Sequence, residues 1–190
     1  MKYTFAKNAW TMDGLVNAYC ARFDQESVFL QKETCIENPK DPNMTDGYSY
    51  ISLMTKEKFK PGVRFSFTCD FEGKAAPLMV MAREMYEENG MTKYGNYQEV
   101  VLFKNGLNVW NLWQQEDGKV VYHKLLGIEE NVTEKELHTV TVDILQEGFR
   151  VTFNGHSFYL RVNHGYEDFH LGITGCEGVC RFYDMEITQL

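Results

Sequence analysis

Residues 97–125, YQEVVLFKNGLNVWNLWQQEDGKVVYHKL, decide the fold. Three runs rich in Val, Leu, Tyr, Trp and Phe are broken by Asn105–Gly106 and Asp117–Gly118. β-Branched and aromatic residues suit a pleated, half-buried surface, and Asn/Asp-Gly tolerates the positive φ of a tight two-residue turn. The segment reads as three antiparallel strands joined by hairpins. Taking each Asn/Asp-Gly pair as a two-residue loop sets Val101 against Trp110, Gln98 against Trp113, and Trp113 against Tyr122. One face then carries Val101, Phe103, Trp110, Leu112, Val121 and Leu125, with Glu99 and His123 as polar members. The other carries the rows Gln98–Trp113–Tyr122 and Val100–Asn111–Lys124. The first face has more large apolar groups and is expected to meet the core. The second mixes aromatic, amide and ammonium groups, as a sugar-binding surface does. A one-residue slip exchanges these roles.

The same texture extends outward. Strand-like segments occur at Ser49–Leu53, Val63–Asp70, Leu78–Arg83, His138–Leu145, Arg150–Phe153, His156–Arg161, Phe169–Ile173 and Arg181–Ile187. Asn154–Gly155 forms a third hairpin signal. The stretches Glu37–Gly47 and Glu84–Asn96 read as loops, and only Thr133–Glu136 looks helical. So many short strands without crossover helices imply an all-β fold, a two-sheet antiparallel β-sandwich or jelly roll. With no linker, repeat or low-complexity tract, residues 1–190 are expected to form one domain.

The chain has 190 residues with 19 Lys+Arg and 27 Asp+Glu, a net charge of −8. That balance lacks the cationic field of a nucleic-acid or anionic-membrane binder, so neither partner is expected. No apolar run reaches the roughly 20 residues that span a bilayer. The N-terminal stretch lacks the features of a secretory signal. A cytoplasmic location is expected, or a secreted one if a signal has been removed. The odd count of five Cys fits a reducing compartment. Cys176 and Cys180 read as thiols flanking a turn, because no second Cys or His pair completes a zinc site.

The segments KFKPGVRFSFTCDF, PLMVMARE, NYQEVVLFKNGLNVWNLW, HTVTVDILQEGFRVTFNGHSFYLRV and FHLGITGCEGVCRFYDMEI resemble, in that order, the later strands of concanavalin A-like lectin/glucanase sandwiches. The nearest likeness is to bacterial domains related to 3-keto-disaccharide hydrolases and to laminin-G-like modules, over about residues 49–187. The resemblance implies a concanavalin A-like jelly roll. It matches Arg83 to a strand-ending Arg and Gln98 to an acidic position, both facing the concave side in that family. Gln cannot ionise, so it cannot act as a general acid or base.

Glycoside hydrolysis needs two carboxylates about 5–10 Å apart. The Glu-x-Asp-x-x-Glu strand of the glucanases is absent, and Glu84, Glu87 and Glu88 read as a solvated loop. No residue is therefore assigned a catalytic role. The candidate ligand-binding residues are Arg83, Gln98, Asn111, Trp113, Tyr122 and Lys124. Trp113 and Tyr122 would stack on a sugar ring, and the others would bond its hydroxyls. The expected function is a carbohydrate-binding, lectin-like domain for an oligosaccharide or polysaccharide. A glycosidase of the same fold and a protein-interaction module are the alternatives. No cofactor is expected. Asp41, Asn43 and Thr45 loosely resemble a calcium loop without the distal Glu of an EF-hand, leaving a structural calcium as a minor reading.

Overall fold

The computed structural model describes residues 1–21, 27–40, 50–117, 119–162 and 167–190. The Asp41–Asn43–Thr45 segment lies outside them. The strands in chain order are β1 (Lys2–Thr4), β2 (Leu15–Cys20), β3 (Leu30–Gln31), β4 (Ile36–Glu37), β5 (Ile51–Thr55), β6 (Val63–Phe71), β7 (Ala76–Ala82), β8 (Tyr86–Glu88), β9 (Met91–Tyr94), β10 (Tyr97–Phe103), β11 (Gly106–Gln114), β12 (Val120–Glu129), β13 (His138–Leu145), β14 (Gly148–Phe153), β15 (His156–Arg161), β16 (His170–Cys176) and β17 (Cys180–Gln189). Among the described residues there is no helix. Thr133–Glu136 is a turn with Lys135 at φ 61°, a left-handed conformation that a helix cannot contain.

Two sheets face each other. One runs β15-β14-β13-β6-β17-β4-β3, with β1 also on β17. The other runs β12-β11-β10-β7-β16-β5-β2-β9-β8. All pairings are antiparallel except that of β2 with β9. Strand alternation builds the core between the sheets. Phe65, Phe67, Val140, Val142, Phe182 and Ile187 point in from the first sheet. Leu53, Met79, Met81, Val100, Leu102, Val109, Leu171 and Ile173 meet them from the second. Each such side chain contributes about 1.5–3 kcal/mol when fully buried. The five cysteines are free and buried.

The second sheet is strongly curled, and one link forces it. β9 and β10 stand five spacings apart in the strand order, about 24 Å if the sheet were flat. Only Gly95 and Asn96 join them, and three Cα–Cα steps reach at most about 11 Å. The sheet must therefore roll β9 back over its own outer face. Tyr94 then lies on Ser52, with the two hydroxyls 2.5 Å apart, and Ser52 bonds Thr174 on β16. The Tyr97 hydroxyl lies 3.5 Å from the Cys20 thiol, and the Tyr94 and Tyr97 rings meet edge-on at 5.0 Å. Ala18, Met54, Val80 and Ala82, on the outer face, are fully buried in this second cluster. The stretch expected to be a loop, Glu84–Asn96, thus contains the β8–β9 hairpin and covers half of the concave face.

On the outer face of the first sheet, Asp143 is buried between arginines on both neighbouring strands. Its carboxylate accepts from Arg64 Nε at 2.6 Å and Nη2 at 3.0 Å, and Arg150 Nη1 lies 3.5 Å away. The arginines are half exposed and can rehydrate, so Asp143→Ala is expected to cost about 1–3 kcal/mol in chemical denaturation. A change indistinguishable from zero would show that this triad contributes nothing.

Candidate functional site

Hairpin arithmetic sets the site. Phe103 pairs with Gly106, so the first turn is Lys104–Asn105 rather than Asn105–Gly106. That shift moves pairing partners by two residues and leaves the faces unchanged. Gly106 starts β11 at φ 134°, where a Cβ would strike the Ile128 carbonyl. In the second hairpin Gln115 N–H donates to Lys119 O, which leaves three residues in the loop. An odd loop flips the next strand, so Tyr122 pairs with Leu112 and Lys124 with Trp110. A bulge between Val109 and Trp110 then absorbs Leu125 as an extra residue and restores inward packing at Leu126. The third turn, Asn154–Gly155, is as expected, with φ 47° and 76°.

The outer, concave face therefore carries Glu99, Val101, Phe103, Trp110 and Leu112, the set expected to meet the core. The inner face carries Gln98, Val100, Asn111 and Trp113, the set expected to meet a ligand. The expectation fails because the concave face also buries large apolar groups, Tyr97, Val101 and Leu112, in a second cluster, so a count of such groups does not separate inner from outer. Here the inter-sheet core uses aliphatic side chains from β10 and β11 against phenylalanines of the opposite sheet, and the aromatics of β10–β12 other than Trp113 face out.

Of the six candidate residues, the structure places two, Tyr122 and Lys124, on the concave face, where they line two adjoining clefts. Tyr122 is exposed on the concave face. Lys124 stands over Trp110, its Nζ 5.8 Å from the ring centroid. Gln98 is 2% exposed between the sheets, and its Oε1 has no hydrogen-bond partner among the described residues. Asn111 and Trp113 are half-buried on the inner face. Arg83 follows β7, exposed beside Glu84 at 3.8 Å, outside the cleft.

The cleft itself, about 330 Å³, lies on the part of the concave face that the β8–β9 hairpin leaves open. Trp110, Tyr122, Tyr50 and Phe103 supply its aromatic walls, and Ala76, Leu78 and Val101 its floor. Glu99, Asn108, Lys74 and Glu177 are its polar members. Pairing places Glu99, Trp110 and Lys124 side by side on successive strands. Glu177 sits in the β16–β17 turn at φ 58°, followed by Gly178, whose Cβ would press on Ala75. Burial pushes the Tyr50 phenol up, as does contact with Cys176, and the Glu177 and Glu99 carboxylates add to the rise. Burial likewise pushes the Cys176 thiol up. A second cleft of about 700 Å³ adjoins the first, sharing Phe103 and Asn108. Among the described residues no cluster of three His, Cys, Asp or Glu could hold a metal ion.

The architecture matches solved carbohydrate-active proteins along its whole length. The carbohydrate-binding module CBM66 from Bacillus subtilis aligns over 93% of this chain and 96% of its own, with a TM-score of 0.65 at 6% identity. A glycoside hydrolase family 16 endo-glucanase from Bacteroides ovatus aligns over 99% of both chains, with a TM-score of 0.63 at 9% identity. The chain has the concanavalin A-like lectin/glucanase fold. A Crh5 transglycosylase also shares this sandwich over 100% of this chain and 83% of its own, with a TM-score of 0.64 at 10% identity. No protein-family profile and no curated protein sequence matches the chain.

Sequence reasoning missed Trp110, Tyr50, Glu99, Asn108 and Glu177. The alternation Glu99–Val101–Phe103 with Asn108–Trp110 is visible in the sequence, but which way it faces is decided by the packing of Val100 and Leu102 against the opposite sheet. The buried amide of Gln98 gives a direct check of the corrected faces. Gln98→Met removes an unsatisfied polar group at similar volume and is expected to leave stability unchanged or raise it by up to about 1 kcal/mol. A loss above about 2 kcal/mol would show that the amide is bonded in the inter-sheet space.

Proposed function

We propose that the protein is a carbohydrate-binding, lectin-like domain whose ligand lies in the concave cleft walled by Trp110, Tyr122 and Tyr50. The observation that carries this reading is an aromatic platform on the open part of a concanavalin A-like concave face, with hydrogen-bonding groups at its edge. Sugar C–H faces stack on such rings, and Asn108 and Glu99 at the cleft's edge offer partners for hydroxyls. The fold's likeness to CBM66 and to the family 16 glucanase supports a carbohydrate ligand.

The concave row of β10 holds one acid, Glu99, followed by Val101 and Phe103 where a glucanase-type strand would carry further carboxylates. This favours binding over hydrolysis. A second reading rests on Glu177, which shares the cleft with Glu99. Two carboxylates in one cleft are the minimum for a glycosidase. That reading expects new reducing ends on incubation with oligosaccharides, abolished by Glu99→Gln. The binding reading expects none.

On a glycan array, Trp110→Ala is expected to weaken binding by about 10- to 100-fold, the equivalent of losing a stacked platform of ~1–3 kcal/mol. Its melting temperature should stay close to that of the wild type. Trp113→Ala is expected to do the reverse, lowering the melting temperature and sparing affinity. The opposite pattern would return the site to the Trp113 face.

A further inference from the structure

The cleft is acidic on balance, and its platform already holds a cation. Glu99 and Glu177 line the aromatic cleft, and Glu129 and Glu130 line the adjoining one. Lys74 and Lys124 offset them only in part. The Lys124 ammonium stands 5.8 Å from the Trp110 ring centroid, and Glu99 is the direct cross-strand neighbour of Trp110 on the opposite side. Carboxylate, aromatic face and ammonium thus form one row across three strands. Position 127 makes room for this arrangement. A Cβ on Gly127 would come within 2.6 Å of Lys124 Nζ, so the lysine folds back into space that any other residue would fill. Lys124 is exposed, and β12 is an edge strand of its sheet.

We infer that the Glu99–Trp110 row binds the ammonium of an amine-bearing sugar, which takes the place of Lys124 over the ring, and that the groove rejects uronic-acid or sulfated glycans. This rests on the carbohydrate reading above. An ammonium over Trp110 gains the ring quadrupole and the Glu99 charge together. An anion in the same place meets the Glu99 carboxylate on the adjacent strand, inside the Debye length of about 8 Å at physiological salt, and Glu177 lines the same cleft. Both carboxylates act on the same buried groups, Tyr50 and Cys176, so their fields overlap in the cleft. Releasing Lys124 costs little, because the displaced ammonium swings into water.

The test is calorimetric titration with three oligomers of equal length: β-linked N-acetylglucosamine, its de-acetylated form, and an oligouronate. The pH is set at about 6, below the usual amine range. Wild type is expected to bind the amine oligomer about fivefold more tightly than the acetylated one, with the uronate weakest. Glu99→Gln is expected to erase that preference, bringing the amine and acetylated oligomers to equal affinity. Lys124→Met, on the exposed edge strand, is expected to strengthen amine binding. Melting temperatures confirm that both variants fold. Equal binding of amine and acetylated oligomers, tighter uronate binding, or a preference that survives Glu99→Gln overturns this inference alone. Failure of all three oligomers, together with a blank glycan array, overturns the carbohydrate reading and this inference with it.

Discussion

The two-residue link between Tyr94 and Tyr97 governs everything on the concave face. It joins strands that a flat sheet would hold far apart, so the nine-stranded sheet must coil. Coiling brings the Tyr94 ring onto Ser52 and Thr174 and Tyr97 onto Cys20. Small side chains at Ala18 and Ala82 let the hairpin lie close. What remains open is the β10–β12 side, and that is where the aromatic residues collect. The aromatic cleft is in this sense the remainder of a face that the chain closes upon itself.

Much of the architecture was legible before any coordinates. The strands at Val63, Tyr97, His138 and His156 begin where the residue pattern begins them, because alternation and Asn-Gly turns are local signals. The strands that escaped notice are short or lie near the N-terminus, such as Leu15–Cys20 and Tyr86–Glu88. Their residues carry weak alternation, and their pairing is decided by distant partners. Lys93 is the clearest example. A lysine in a solvated-looking stretch is in fact buried, its ammonium 2.8 Å from Glu88, and nothing in its neighbours signals that.

The site was harder to read for a reason of parity. An even loop preserves the alternation between strands, and an odd loop or a bulge inverts it. The chain contains both within 25 residues of one another. The three-residue loop before Val120 turns Tyr122 and Lys124 toward the Trp110 face, away from the row with Asn111 and Trp113 that two-residue turns would give them. Gln98 and Trp113 were named with them because amide and indole resemble a ligand surface on paper. Only the packing of Val100 and Leu102 against the opposite sheet shows that this side is closed.

The buried cysteines give the molecule a built-in record of its own opening. Cys20 lies in the outer cluster against Tyr97, next to the β8–β9 hairpin, whereas Cys69 and Cys180 lie between the sheets. A reagent that modifies thiols reaches Cys20 when the hairpin lifts and the other two only when the sandwich parts. Their relative labelling rates would separate a local breathing motion from global unfolding in the natural sequence, with no probe introduced.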